Sequence, residues 1–319
     1  MRNVKRCGYR LLKVLALMML VTASLTAWAD LPRDIEVFLQ GGQSNSDGRA
    51  LTNGLPADLL APQTDVAFYY YLAGSRTNAD GTLGTLTTLR PGCSAIGNGK
   101  TFGPEIEFGR DIADHFARAK KPATNSVLVA IIKYAHGGTS LATRWKANDK
   151  NSTEGDGPDY VIFQRVVQDG LARLHAEYPG ARIHLEAMTW VQGETDIDGG
   201  AKTAAPYGTN LVRFIEDVRL TFATNQPYGT NLPFIFSQIS ANQTVYSRTN
   251  DVAYPDYLLL RAGQAYAAKN LSNVTMVDTD GSQFSTLTPY WSPGLHFDTA
   301  GQLALGKALA DAFITNQFR

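Results

Sequence analysis

A serine, a histidine and several amide donors fall in four short segments of this 319-residue chain. They are Gly42-Gln43-Ser44-Asn45, His136-Gly137-Gly138-Thr139-Ser140, Trp190-Val191-Gln192-Gly193-Glu194-Thr195-Asp196 and Gly294-Leu295-His296-Phe297-Asp298. Acyl transfer is the chemistry that these residue types suit. A serine hydroxyl is a weak nucleophile until a base takes its proton, and the oxyanion that then develops needs donors already aimed at it. Ser44 supplies a hydroxyl and its own N–H, a turn at Gly137-Gly138 lets bare backbone approach the reacting carbonyl, Gln192 carries a side-chain amide, and His296 is the base that fits. Ser44 taken alone reads more readily as a capping or turn serine. Nor does it sit in a G-x-S-x-G elbow, because two residues further on stands Ser46.

Of the five histidines, His115 and His175 lie in helical stretches and read as surface positions, and His184 alternates with Glu186 along one face of a strand. His136 stands in a strand-end segment, within reach of a substrate. No His-Glu-x-x-His and no close Cys/His set appears, so a zinc mechanism has little support. The lack of a Walker loop and of G-x-G-x-x-G speaks equally against a nucleotide cofactor. The residues point to chemistry without a metal or cofactor.

These segments need elements to position them. β-Branched and aromatic runs predict strands over Ile35–Gln40, Val66–Leu72, Ser126–Tyr134, Arg182–Trp190, Pro233–Ile239 and Val274–Val277. Amphipathic stretches predict helices over Pro104–Ala119, Tyr160–Glu177, Gly208–Ala223, Asp256–Lys269 and Thr299–Ile314. Strands alternating with helices imply right-handed crossovers and a mostly parallel sheet covered on both faces, a three-layer α/β/α sandwich in one domain over residues 30–319. The Gly-, Thr- and Asn-rich stretch Gly74–Gly103 and the polar stretch Lys146–Pro158 read as long surface loops. Ligands of such sheets gather where strands end, and all four segments stand just past a strand.

The amino terminus predicts the compartment. Arg2, Lys5, Arg6, Arg10 and Lys13 precede and punctuate an apolar stretch that closes on Ala27-Trp28-Ala29, the pattern of a cleavable signal peptide over residues 1–29. Its uninterrupted apolar run is about a dozen residues, against the ~20 of a spanning helix, so a secreted or periplasmic protein beginning at Asp30 is expected. The leader holds five of the 29 Lys and Arg and none of the 29 Asp and Glu, leaving the remainder mildly acidic. A nucleic acid or an anionic membrane would want a basic patch, and neither is expected as a partner. Of the two cysteines Cys7 leaves with the leader, so no second cysteine remains for Cys93 and the fold is expected to stand without a disulfide. A domain of this size can do so, burying roughly 75% of its unfolded-state surface.

Gly-Gln-Ser-Asn after the first strand, Gly-Gly-Thr-Ser after a central one, Gln-Gly-Glu-x-Asp after the next and Leu-His-Phe-Asp-x-x-Gly-Gln opening the last helix are recognisable together. The chain resembles the SGNH hydrolase superfamily, in the carbohydrate esterase branch that holds sialate O-acetylesterases and family-six acetylxylan esterases. Phe102-Gly103-Pro104-Glu105 is similar to a further segment of that branch. The resemblance implies an SGNH, flavodoxin-like fold and a carboxylic ester hydrolase. Such an enzyme removes O-acetyl groups from a carbohydrate, of the acetylxylan or O-acetylated sialic acid type, through an acyl-enzyme. Carried over by position it implies Ser44 as nucleophile, in a shallower turn that needs no later glycine, with Ser46 a bystander. It further implies an oxyanion hole of the Ser44 and Gly138 N–H groups and the Gln192 amide, with His296 as general base.

One position departs from the resemblance. Where the superfamily places an aspartate three residues before the histidine, this chain has Pro293. The Pro293 carbonyl, or one of Glu194, Asp196, Asp278 and Asp280, is left to orient the imidazole, and Glu194, on the rim beside Gln192, is the favoured acid. A lipase- or thioesterase-like relative would want an apolar acyl groove that these loops do not advertise, and a relative reduced to binding sugar would tolerate Pro293. Tyr69–Tyr71, Trp145 and Trp291 flank the segments and could stack on sugar rings, although aromatic runs in strands belong more often to a core.

Overall fold

The run Ile35-Glu36-Val37-Phe38-Leu39 carries almost no polar alternation because the strand it forms has both faces covered. This strand, β1 (Asp34–Gly42), is buried along its whole length. The computed structural model describes residues 34–73, 83–93, 99–119, 127–148, 152–222, 230–287 and 292–316. The expected leader, residues 1–29, lies outside them. After β1 come β2 (Ala50–Leu51), β3 (Gln63–Leu72), β4 (Thr87–Leu89), β5 (Thr101–Phe102), β6 (Val127–Ala135), β7 (Arg182–Val191), β8 (Phe234–Ser237) and β9 (Val274–Val277). The helices used below are α1 (Ser44–Asp47), α2 (Glu105–Ala119), α3 (Pro158–Glu177), α4 (Glu194–Asp198), α5 (Tyr207–Thr221), α6 (Tyr254–Asn270) and α7 (Thr299–Thr315).

Seven strands form one sheet in the order β4-β3-β6-β1-β7-β8-β9. Every neighbouring pair runs parallel except β3 with β4. All six predicted strands and all five predicted helices are present, with ends that differ by a few residues. The stretch Gly74–Gly103, expected as loop, contributes β4 and β5. β4 is a three-residue antiparallel edge strand, too short for the alternation that marks a strand in sequence.

The sheet separates two cores. Ile35, Val37 and Leu39 of β1 join a cluster with Phe163 and Val167 of α3, Phe214 of α5 and Leu260 of α6. Phe38 points the other way, among Phe108 of α2 and Phe313 of α7. Its ring meets theirs edge-on with centroids 5.3 and 4.9 Å apart, each contact worth about 0.5–1.5 kcal/mol beyond the area buried. Phe38 thereby ties the central strand to the helix that follows the histidine loop.

Tyr69, Tyr70 and Trp145 are buried in these cores, the last at 0% exposure, and so hold no ring open to a sugar. Trp291 lies outside the described residues.

Candidate active site

The chain leaves β1 toward β3 and β6, and later crosses to β7, β8 and β9 on the other side. In an open parallel sheet that reversal leaves a crevice beyond the carboxyl ends of the strands. Ser44 follows β1, Gly137-Gly138 follows β6, Glu194 follows β7 and the His296 loop leads into α7. The crevice is a cleft of about 450 Å³ whose lining includes Gln43, Ser44, Arg49, Gly137, Gly138, Glu194, Thr195, Asp198, Tyr246 and His296. The four sequence segments meet there.

Ser44 opens α1. Gly42 makes the turn possible: its φ is +135°, and a Cβ there would lie 2.2 Å from the Val191 carbonyl oxygen. Beneath α1, buried Lys133 donates to the Asp47 carbonyl at 2.9 Å and to Glu105 Oε2 at 2.8 Å. Gln40 donates to the Ser46 carbonyl at 3.1 Å, and Gly103 N–H donates to Glu105 Oε1 at 3.0 Å. The segment Phe102-Gly103-Pro104-Glu105 is therefore a brace under the serine turn. Ser46, fully buried, donates its hydroxyl to the Gly41 carbonyl at 2.8 Å and faces away from the cleft.

His296 Nε2 lies 2.9 Å from Ser44 Oγ, although 252 residues separate them. Both are nearly buried, at 7% and 6% exposure. Asn45 secures the histidine loop by accepting the Phe297 N–H at 3.1 Å and donating to the Leu295 carbonyl at 3.3 Å. Gln243, which the sequence reading did not single out, donates to the same carbonyl at 2.9 Å. Asp298 caps α7 through the Gly301 N–H at 2.9 Å.

Glu194 stands behind that loop. Its Oε1 accepts from Asn45 at 2.6 Å and from Gln243 at 3.0 Å, while its buried Oε2 has no hydrogen-bond partner. Burial pushes the Glu194 carboxyl up, against the opposing pull of hydrogen bonds from its own backbone, Asn45 and Gln243. A raised folded-state value means that the native protein keeps this proton to higher pH than the unfolded chain does, so the stability it confers at low pH is lost as pH rises. Glu194→Gln can keep both accepted bonds and carries no charge. Wild type and variant should melt alike near pH 4, and the variant should become relatively more stable toward pH 8. A wild type that gains on the variant across that range would instead mark a carboxylate serving a cation.

The other carboxylates proposed for the histidine have partners of their own. Asp196, fully buried, accepts from Ser140 Oγ at 2.8 Å, Leu141 N–H at 2.8 Å, Ala142 N–H at 3.1 Å and Gln192 Nε2 at 2.6 Å. It holds the loop after Gly138. Asp196→Ala strands several buried donors, each costing about 1–3 kcal/mol; a loss of about 3 kcal/mol or more in urea unfolding, together with most activity, is expected. Asp280 pairs with Arg261 at 2.7 Å, and Asp278 accepts from the Asp280 N–H at 2.9 Å.

Two more sequence candidates sit differently from expectation. Gln192 is turned into the protein: its Nε2 faces Asp196 Oδ2, the Thr139 carbonyl and Gln43 Oε1, and it is absent from the cleft lining. Its side chain was legible as a donor, but its direction depends on three groups remote in sequence. His136 is engaged through Nδ1 by Asp159 at 2.9 Å. Burial pushes the Asp159 carboxyl up, but donors on His136, Arg144 and Tyr134 outweigh it and hold the value at about 2. Gly138 behaves as expected of a turn glycine, with φ +75° and open space where a Cβ would point.

Elsewhere, a groove of about 420 Å³ between α5 and α6, lined by Arg213, Glu216, Asp217 and Tyr266 among others, contains none of the four segments. Among the described residues no three His, Cys, Asp or Glu side chains group as a metal site, and no helix is long and apolar enough to cross a membrane.

A parallel sheet between helical layers, carrying a serine–histidine pair over its strand ends, is the SGNH-like α/β/α sandwich expected from the sequence. A sequence model of the carbohydrate esterase, sialic acid-specific acetylesterase family matches residues 34–315, and the chain belongs to that family. A probable carbohydrate esterase of Arabidopsis thaliana is 27% identical over 203 residues. The match spans 63% of this chain and 62% of that protein's length. The solved structure of the same Arabidopsis protein superposes with a TM-score of 0.60 at 21% identity, covering 90% of this chain and 100% of that one. NanS gives a TM-score of 0.60 at 15% identity, covering 89% and 98%. A carbohydrate acetylesterase from Xanthomonas citri gives 0.53 at 16% identity, covering 87% of this chain and 55% of its own.

Proposed function

We propose that the protein is an exported serine esterase that removes O-acetyl groups from a carbohydrate, of the acetylxylan or O-acetylated sialic acid type, through an acetyl-enzyme. The observation that carries this reading is the 2.9 Å contact between Ser44 Oγ and His296 Nε2 at the mouth of a cleft in a chain of this family. His296 takes the hydroxyl proton at Nε2 as Ser44 Oγ attacks the acetyl carbonyl carbon, and the carbonyl oxygen becomes an oxyanion. Ser44 and Gly138 line the cleft, and their N–H groups are the donors this reading assigns to that charge. Collapse expels the sugar oxygen, which takes the proton from His296, and leaves acetyl-Ser44. A water then gives its proton to His296 and attacks the acetyl group, and acetate departs as Ser44 is reprotonated.

Thr195, Asp198, Tyr246 and Ser292 offer hydroxyl and carboxylate groups to a sugar beside this pair, next to the apolar side chain of Leu295. The deciding experiment offers acetylated xylan and O-acetylated sialic acids beside aryl acetate and aryl palmitate. Release of acetate from a sugar, with acetate esters turned over faster than palmitate, is expected; preference for palmitate sinks the carbohydrate reading.

A further inference from the structure

We infer that the side-chain amide of Gln43, not that of Gln192, is the third donor of the oxyanion hole; this rests on Ser44 being the nucleophile. Gln192 has two amide protons and three acceptors within reach, Asp196 Oδ2 at 2.6 Å, Thr139 O at 3.1 Å and Gln43 Oε1 at 3.1 Å. The Thr139 carbonyl and the Asp196 carboxylate accept, which fixes the amide nitrogen on their side and leaves the Gln192 carbonyl oxygen facing the Tyr207 hydroxyl at 2.9 Å. Nothing of Gln192 is left to reach the cleft. That orientation settles Gln43 in turn. Gln43 Oε1 accepts from Gln192 Nε2 and, at 3.2 Å, from the Thr195 N–H, so Oε1 is the inward atom and Nε2 the outward one.

Gln43 is the residue immediately before Ser44 and lines the same cleft as Ser44 and Gly138. Among the described residues no acceptor takes its Nε2. The relay from Tyr207 through Gln192 to Gln43 holds a donor in place before substrate arrives. A donor so fixed binds an oxyanion more strongly than a neutral carbonyl and needs no reorganisation at the moment of reaction, so it lowers the barrier instead of tightening substrate binding.

Gln43→Glu tests this, because a carboxylate keeps an oxygen for Gln192 and Thr195 while losing the donor. The expected result is a fall of roughly 10²–10³ in kcat for an aryl acetate, with KM little changed. The activity ratio of variant to wild type should rise as pH falls, because the introduced carboxyl, once protonated, again offers an O–H. If the variant also melts lower, melting temperatures taken across the same pH range decide, since protonation of a buried carboxylate also mends a damaged fold: a ratio that rises while the melting temperature relative to wild type holds marks the restored donor, and one that only follows the melting temperature overturns the inference. A wild-type kcat in Gln43→Glu, or a ratio independent of pH, overturns the inference and leaves the acetylesterase reading intact. The latter fails separately, if wild-type protein releases no acetate.

Discussion

Ser44→Ala is expected to lower kcat for acetyl-ester hydrolysis by on the order of 10⁵–10⁶, the scale seen when the nucleophile of a serine–histidine pair is removed, while Ser46→Ala stays near wild type. The two serines are two residues apart in one short helix, yet they face opposite ways. Ser44 Oγ lies against His296 Nε2 at the cleft, and Ser46 Oγ is spent on the Gly41 carbonyl underneath. Losing the hydroxyl at position 44 removes the bond-forming atom and little packing, so the melting temperature should hardly move. At position 46 it removes one buried hydrogen bond, about 1 kcal/mol of stability, and leaves the reacting atoms in place. Initial rates on an aryl acetate with thermal melts of both variants make the comparison. Mass spectrometry after an organophosphate should place the adduct on the peptide holding Ser44. Equal losses in both variants, or more than a trace of turnover in Ser44→Ala, would remove Ser44 from the mechanism.

The second large effect is expected at His296, and its form is more informative than its size. His296→Ala should cost about as much as Ser44→Ala, because an unactivated serine hydroxyl is nearly inert. The double variant should be no slower than either single one. Two groups that act as one unit lose the whole of their joint contribution when either is removed, so their effects do not add. The loop should survive the substitution, since Asn45 and Gln243 hold it through the Leu295 carbonyl rather than through the imidazole. Additive losses in the double variant would mean that the serine and histidine serve separate steps, contrary to the 2.9 Å contact.

Glu194 belongs with these residues through the two amides that carry the histidine loop. Its carboxyl sits behind Asn45 and Gln243, and both amides reach on to the Leu295 carbonyl. Glu194 thus steadies the backbone one residue before His296.

Sequence by itself determined the fold class and the four rim segments. Period and residue type are local properties: a both-faces-covered strand such as Ile35–Leu39 is apolar at all but one position, and a helix such as Thr299–Thr315 must show its apolar side every third or fourth residue. The serine and histidine were legible for the same reason, as Ser44 stands just past a strand and His296 just before a helix whose limits the sequence marks. Only the tertiary structure decided where side chains on those segments point. Gln43 and Gln192 are the same residue type on neighbouring rim segments, and which of them offers its amide to the cleft depends on Tyr207, Asp196 and Thr195, brought together from α5 and α4. Gln243 had no sequence signal, because its role exists only once the loop after β8 lies against Leu295. A hydrogen bond's direction is a relation among groups distant in the chain, and no single segment carries it.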